Sequence, residues 1–247
     1  MLSNNNIEIL FLHGWGVTHH VWDDFAIGFR DQAKVLTPCL YNIAENGNDA
    51  SLSSIAKIIN KGLTNKTIII AWSIGGLLAL KLSGLSDKPA MIVFITSVPC
   101  FVNSDRWNNA IDKTELNKLD SMLSKDPEAA LQYFSTLIAY GDASPRLTSR
   151  CLQKIMAKEN QAAVLKLWLD ELRQQDLRHK YSSLTIPSFV LLSEQDVLIN
   201  KDIKNDLLGL NKNVPVTVLP GTGHAPFISK AKETQKLIQG YIDAGIK

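Results

Sequence analysis

Residues 67–80 of this 247-residue chain read TIIIAWSIGGLLAL, and this stretch decides the fold. The β-branched residues at its start predict a buried strand, and the glycines and leucines that follow predict a helix. Ser73 lies at the junction, flanked by the small residues Ala71 and Gly75, which allow the strand and the helix to approach closely. A serine on so sharp a turn has a strained backbone and presents its hydroxyl outward, as a nucleophile does. The alternative is a serine that only caps the helix.

Strands and helices alternate on both sides of this junction. Further strands are predicted at 7–14, 34–40 and 90–97 and within 188–196 and 215–224, and further helices at 21–32, 51–63 and 230–242. The apolar strands suit a parallel sheet that is buried on both faces. The alternation predicts an α/β fold with a mostly parallel central sheet flanked by helices.

Strand signals are absent from the middle of the chain. Four amphipathic helices are predicted there instead, at 113–123, 127–139, 145–159 and 161–177. We therefore predict a core formed by residues 1–104 and 181–247. Residues 105–180 are expected to form an all-helical lid inserted between two core strands.

The composition is that of a globular protein, with 45% hydrophobic and 20% charged residues. A net charge of +2 is too small to indicate a nucleic-acid partner. Three scattered cysteines and five histidines show no metal-ligand spacing, so we expect reduced thiols, no metal and no cofactor. Because no signal-peptide pattern and no apolar run near ~20 residues is found, we expect a cytoplasmic monomer without membrane association.

A serine hydroxyl attacks only when a base removes its proton and an acid orients that base. After a nucleophile of this kind, the acid and the histidine follow in loops at the ends of later strands. Asp196 and His224 occupy such positions. Glu194 is a rival acid because it lies closer to the strand end, but Asp196 has more room to reach back and is preferred.

Two backbone N–H groups are expected to stabilise the oxyanion. Ile74 follows the nucleophile at a helix start, where the helix dipole favours negative charge. Trp15, in the LHGWG loop at 12–16, is the second candidate. His13 is expected to stabilise that turn, and His19 and His20 are expected at the surface or at a helix start.

The motifs LHGWG, AWSIGG, SEQD and GHAPFI, in this order, resemble those of the α/β-hydrolase superfamily over nearly the whole chain. The tryptophans beside the loop and the serine, SVPCF at 97–101 and HAPFIS at 224–229 are similar to pimeloyl-acyl-carrier-protein methyl ester esterases. The resemblance implies a triad of Ser73, Asp196 and His224, with Trp15 and Ile74 on the oxyanion side. It also implies an acyl pocket lined by the lid residues Phe134, Ser135, Thr136, Leu137 and Ile138.

Such an esterase removes the methyl group from a pimeloyl chain held on acyl carrier protein, giving pimeloyl carrier protein and methanol for biotin synthesis. Two departures from the family pattern are expected to affect the sheet edge and the pocket entrance: a short N-terminus, and TPCLYNIAENGND at 37–49 in place of a glycine-rich turn. The alternatives are a broad-specificity short-chain esterase or a carbon–carbon bond hydrolase with the same triad. A non-catalytic binding protein of the same fold is more remote.

Basic residues recur every fourth position in the predicted lid helix at 145–159, as Arg146, Arg150, Lys154 and Lys158. On a helix they lie along one face, where they repel one another by a few tenths of a kcal/mol per pair. An acidic carrier protein would match this stripe, and the resemblance implies carrier contacts for Arg146 and Arg150. Lys154 and Lys158 extend the stripe. The alternative is an ordinary solvated lid surface.

Overall fold

The protein is described by a computed structural model that covers residues 7–47, 49–85, 89–158 and 161–245. Six parallel strands form one sheet in the order β2-β1-β3-β4-β5-β6. The strands are β1 (Glu8–Leu12), β2 (Lys34–Leu36), β3 (Thr67–Trp72), β4 (Met91–Ile95), β5 (Ser188–Ser193) and β6 (Val216–Leu219). β3 and β4 are buried along their whole length, as predicted from their unbroken apolar sequences.

Helices connect the strands and confirm the predicted α/β class. They are α1 (Asp23–Ala26), α2 (Leu40–Asn46), α3 (Leu52–Asn60), α4 (Ile74–Ser83), α5 (Lys113–Lys125), α6 (Pro127–Ala139), α7 (Pro145–Gln153), α8 (Ala162–Gln174), α9 (Arg178–Ser182), α10 (Ile203–Leu210), α11 (Pro226–Ser229) and α12 (Ala231–Gly245). Helices α5 to α9 lie between β4 and β5 in the chain; α5 to α8 fall within the predicted lid, and α9 runs two residues past its predicted end. Within the described ranges, none of the helices has the length and apolarity that crossing a bilayer requires.

Several predicted helices are shorter than their sequence patterns. The prediction at 145–159 was too long, because residues 155–157 pair with the loop at 16–18: Thr18 N–H donates to Ile155 (2.8 Å) and Ala157 N–H donates to Gly16 (2.9 Å). The helix predicted at 161–177 corresponds to α8 and the residues before α9. The helix ends at Gln174, and the Leu177 N–H donates to the Pro99 carbonyl oxygen (2.8 Å). The prediction at 21–32 is a run of short 3-10 and α turns.

The region after β2 also differs from the prediction at 34–40. The strand stops at Leu36, because Pro38 lacks the N–H that a strand ladder needs and holds Thr37 out of helical geometry. The unpredicted helix α2 then starts at Leu40, in the segment that replaces the glycine-rich turn.

The strand order places the candidate residues at one edge of the sheet. β2 is added to one side of β1 and β3 to the other, so the order of strands along the chain reverses at β1, and ligands bind at such a point in open α/β sheets. Ser73 follows β3, Asp196 follows β5 and His224 follows β6, each at a carboxyl end. The loop that carries Trp15 follows β1 at the same edge.

Candidate active site

Ser73 stands on the turn that its neighbours predict. Its φ of 55° and ψ of −127° lie in a region that residues other than glycine rarely adopt. The turn requires glycine at position 75, because a Cβ there would lie only 2.7 Å from the Leu12 carbonyl oxygen. Ser73 occupies the N-cap position of α4, but its hydroxyl makes no capping hydrogen bond to that helix. The Ser97 hydroxyl donates to the Ser73 carbonyl (2.7 Å) and holds the turn from the next strand end.

His224 and Asp196 form a buried pair. His224 Nδ1 lies 2.7 Å from Asp196 Oδ2, and each side chain is only 1% exposed. The other carboxylate oxygen accepts the N–H groups of Leu198 (2.9 Å) and Ile199 (3.2 Å), which fixes the carboxylate plane. Because an ionised carboxylate only accepts hydrogen bonds, Nδ1 is the ring nitrogen that donates to Asp196, and Nε2 is the ring nitrogen left to act as a base.

The rival acid, Glu194, lies elsewhere. Its Oε2 accepts the Gly221 N–H (3.0 Å), and Oε1 lies 3.6 Å from Lys201 Nζ. The hydrogen bond from Gly221 is the main reason why the pKa of Glu194 is lowered. The structure therefore pairs His224 with Asp196, the preferred residue, and uses Glu194 to brace the start of the histidine loop (residues 220–225).

The backbone of His224 is fixed from the core as well. Its carbonyl accepts hydrogen bonds from the Thr96 hydroxyl (2.7 Å) and the Trp72 indole N–H (2.8 Å). Thr96 has a positive φ of 41° at the end of β4, and Trp72 ends β3. The ends of two central strands thus hold the loop on which the imidazole stands.

Ser73 and His224 line one cavity beneath helices α5, α6 and α8. Ten of its thirteen lining residues are apolar, so the space suits a hydrocarbon chain; the lining residues are Trp15, Ser73, Phe101, Ile111, Glu115, Leu116, Leu119, Phe134, Leu137, Leu169, Leu172, Leu198 and His224. His224 Nε2 is buried and has no hydrogen-bond partner among the described residues. The volume open to water is ≈ 10 Å³, about what one water molecule needs.

The predicted pocket residues on α6 are only partly at this cavity. Phe134 and Leu137 line it, because residues three apart share a helix face. Ser135 donates to Gln132 within the helix, and Thr136 is exposed, so neither lines the cavity. Ile138 packs in the core instead, where its carbonyl accepts the His224 N–H (3.1 Å).

The two candidate oxyanion donors lie on either side of the serine turn. Trp15 lines the cavity, and its ring packs edge-on against Phe134 with the ring centroids 4.8 Å apart. Ile74 begins α4, where the helix dipole adds partial positive charge. In the described part of the chain, neither backbone N–H donates to another protein group.

The basic residues of the lid are exposed, but they do not share one long helix. Arg146 and Arg150 lie on α7, and Lys154 is its C-cap. Lys158 lies beyond the helix, directly after residues 155–157, which pair with the loop after β1. None of the four forms an ion pair with a carboxylate of the described residues.

A scan against family models matches residues 9–235 to the α/β hydrolase family. The chain belongs to the α/β hydrolase family. It is 28% identical over 229 residues to a pimeloyl-[acyl-carrier protein] methyl ester esterase of Pectobacterium carotovorum, covering 91% of this chain and 89% of the relative. It is 26% identical to a biotin biosynthesis bifunctional protein BioHC of Cellvibrio japonicus, covering 95% of this chain and 47% of that protein.

Solved structures bear out the fold of this hydrolase. An esterase from Exiguobacterium antarcticum superposes with a TM-score of 0.83 at 16% identity, covering 97% of this chain and 92% of the esterase.

No cluster of three or more histidine, cysteine, aspartate or glutamate side chains is arranged to bind a metal ion in the ranges that the structure describes.

Sequence reasoning missed Tyr41, which supports the loop that carries Trp15. Tyr41 is fully buried on α2, and its hydroxyl accepts the Gly16 N–H (3.0 Å). The ring stacks between His13 and Trp168, with centroid distances of 5.5 and 4.6 Å. A tyrosine in a long loop gives no signal of such a role before α2 is known.

His13 stabilises the same turn, as expected. Its Nδ1 lies 3.0 Å from the Gly14 carbonyl oxygen, and Nε2 accepts the Leu40 N–H (3.0 Å). Both contacts require a neutral ring, with hydrogen on Nδ1 alone. Burial is the main cause that lowers the pKa of His13 from 6.5 to about 4.

Replacing Tyr41 with phenylalanine should destabilise the hydrolase and slow it. Tyr41→Phe leaves the buried Gly16 N–H without an acceptor, which costs about 1–3 kcal/mol. We expect the unfolding free energy in urea to fall by that amount and kcat to fall with it. Tyr140→Phe is the control, because Tyr140 is 63% exposed. Stability and kcat equal to the wild type in Tyr41→Phe would show that the contact does not matter.

Acid should destabilise the fold through His13. Because its pKa is lower in the folded state, the unfolded chain binds more protons between about pH 4 and 6.5, so stability falls as pH falls through that range. From neutral pH to about pH 5 the loss is about 2 kcal/mol. His13→Gln should be less stable at neutral pH but lose less on acidification, as measured by urea unfolding. Identical pH profiles for wild type and His13→Gln would contradict this.

Proposed function

We propose that this α/β hydrolase is a serine carboxylesterase that hydrolyses the methyl ester of pimeloyl-acyl carrier protein. One observation carries the chemistry: His224, held by Asp196 at 2.7 Å, leaves Nε2 without a partner in the cavity that Ser73 also lines. The relatives named as methyl ester esterases support the class of carboxylic ester hydrolase and suggest the substrate. The products would be pimeloyl carrier protein and methanol, in the course of biotin synthesis.

In the first step, His224 Nε2 accepts the Ser73 proton while the hydroxyl oxygen attacks the ester carbonyl. Asp196 stabilises the imidazolium that forms and keeps the ring in the required tautomer. The protonated imidazole then transfers its proton to the departing methoxide, so methanol leaves and an acyl-Ser73 ester remains. No hydrogen bond joins Ser73 and His224 in this structure, and catalytic hydrogen bonds of this kind often tighten only with substrate bound.

The developing oxyanion needs donors already in place. The backbone N–H groups of Trp15 and Ile74 suit this role because neither is engaged with another described group. A water molecule activated by His224 then attacks the acyl-Ser73 ester and releases the carboxylate product. Each donor in such a hole contributes ~3–4 kcal/mol to transition-state stabilisation in well-studied enzymes.

The apolar cavity supports an acyl substrate with an unbranched chain. Each methylene group that it buries contributes about 0.8 kcal/mol to binding. Because the open volume is only ≈ 10 Å³, the chain fits after the helices of residues 105–180 move away from the core. In this proposal, residues 105–180 form a movable lid over a core made of residues 1–104 and 181–247.

The carrier protein would bind the exposed basic residues on and after α7. Arg146 and Arg150 lie four residues apart on α7, so both point to one side of the helix. Unpaired guanidinium groups attract an acidic partner and accelerate its association. Lys154 and Lys158 extend this positive surface, although Lys158 lies beyond the helix.

Among the alternatives, a broad short-chain esterase or a carbon–carbon bond hydrolase would use the same three residues. The ten apolar lining residues favour an acyl chain of several carbons over a short one. A non-catalytic binding protein is disfavoured by the buried His224–Asp196 pair and the strained Ser73 turn, which cost stability and have a use in catalysis.

Ser73→Ala should abolish covalent labelling by a fluorophosphonate and lower hydrolysis of a soluble ester by more than about 1,000-fold. Ser83→Ala is the matched control, because Ser83 ends the same helix and bonds only the Leu80 carbonyl. Labelling is read by intact-protein mass spectrometry. Near-normal turnover by Ser73→Ala would refute the assignment of the nucleophile.

Reversing the charge of Arg146 and Arg150 to glutamate should raise KM for a carrier-bound methyl ester and leave a small soluble ester unaffected. The reason is that only the carrier-bound ester meets the positive surface, and added salt should mimic the change because exposed charges are screened over ~10 Å at 0.1 M. The matched control reverses Lys232 and Lys236, two exposed lysines four apart on α12. Equal effects on both esters would contradict docking on α7.

A further inference from the structure

The connector at residues 138–142, which comprises the last two residues of α6 and the turn that leads towards α7, lies across the histidine loop. Ile138 accepts the N–H of His224 (3.1 Å), and Asp142 Oδ1 accepts the N–H of Gly223 (2.6 Å). The fit is close, because a Cβ at Gly223 would lie 2.6 Å from the Tyr140 carbonyl oxygen. Two consecutive N–H groups that lead into His224 are therefore held by the connector and not by the core.

The connector also rests against the loop that carries Asp196. Gly141 has a φ of 84°, and a Cβ there would overlap the Gln195 carbonyl oxygen. Gln195 N–H in turn donates to Thr222 in the histidine loop (2.9 Å). The connector thus contacts both loops of the His224–Asp196 pair at once.

Asp142 is an unusual residue to bury at this place. It is only 6% exposed, and its Oδ2 has no hydrogen-bond partner among the described residues. Burying a carboxylate oxygen without a partner costs free energy, so stability does not explain the residue. The contact that it does make, at 2.6 Å, is slightly shorter than the usual range for an amide hydrogen bond.

The remaining contacts of His224 leave a task for Asp142. Thr96 and Trp72 fix the His224 carbonyl, and Asp196 fixes Nδ1. These contacts still allow the two peptide groups on either side of Gly223 to rotate, which would tilt the imidazole and move Nε2 relative to Ser73. Asp142 accepts the Gly223 N–H and Ile138 accepts the His224 N–H, and these two hydrogen bonds remove that freedom.

We propose that Asp142 is a positioning residue for His224, and that it couples the placement of the lid helices to the alignment of the imidazole. The inference rests on the proposed function, since it assigns Asp142 to the proton-transfer geometry of that esterase. Because α7 starts at Pro145, three residues after Asp142, the helix that carries Arg146 and Arg150 is joined to the histidine loop by one short segment.

The test compares Asp142→Ala with Asp142→Asn, using p-nitrophenyl butyrate as the soluble ester. Asp142→Ala should lower kcat by about 10- to 100-fold with KM within about twofold, because a small misplacement of a catalytic group has this effect. Asp142→Asn keeps an oxygen acceptor for Gly223 and should retain most of kcat. Asp126→Ala is the matched control, since Asp126 caps the other end of α6 by accepting the Ala129 N–H (3.0 Å). It should lower stability and not kcat.

Amide hydrogen exchange gives a second readout that does not require turnover. In Asp142→Ala, the peptide that covers residues 219–226 should exchange faster, while β1 and β3 keep their protection. Wild-type kcat in folded Asp142→Ala, or Asp142→Asn as slow as Asp142→Ala, would overturn the inference. If the wild type hydrolysed no ester, the proposed function would fail separately, and unchanged exchange in Asp142→Ala would then overturn the role of Asp142.

Discussion

The close approach of α4 to β1 is the constraint on which the rest of the structure depends. Gly75 lies against the Leu12 carbonyl, and no residue with a side chain fits there without moving β1. The approach forces Ser73 to a φ of 55° and directs the first N–H groups of α4 to the carboxyl edge of the sheet. The same contact brings the loop that carries Trp15 next to the serine. One packing contact therefore determines where the proposed nucleophile and the two proposed oxyanion donors can meet.

The histidine loop is held at that edge by hydrogen bonds. Its position is set by hydrogen bonds to its backbone from the ends of β3 and β4, from the connector after α6, and by the Asp196 carboxylate. Backbone groups in a buried loop must find partners, so each of these bonds both satisfies a polar group and removes a degree of freedom. The result is an imidazole with Nδ1 bound to Asp196 and with Nε2 unpartnered among the described residues, which suits the proposed general-base role.

The sequence predicts the parts of this arrangement that depend on local chemistry. The strand TIIIAW, the glycines after Ser73 and the loop positions of Asp196 and His224 indicate an α/β sheet with candidate residues at one edge, and the structure brings Asp196 and His224 together. The preference for Asp196 over Glu194 rested on reach alone, and the contacts agree with it. Their catalytic roles stay a prediction.

Parts that depend on distant contacts were not predictable. The end of α7 at Gln153 is set by pairing with the loop after β1, which no helical periodicity reveals. Tyr41 and Asp142 read as ordinary loop residues, because their partners Gly16 and Gly223 are 25 and 81 positions away. Helical periodicity places Phe134 and Leu137 on one face of α6. The family resemblance implied a pocket lined by the whole segment 134–138, so the prediction also included Ser135, Thr136 and Ile138.

In the proposed function, Ser73, His224 and Asp196 hydrolyse the methyl ester of a carrier-bound pimeloyl chain. The direct measurement is intact mass spectrometry of pimeloyl carrier protein methyl ester after incubation with the purified protein. We expect the carrier to lose the mass of one CH₂ while its thioester persists. Release of the whole acyl chain, or an unchanged carrier in a preparation that hydrolyses a soluble short-chain ester, would contradict it.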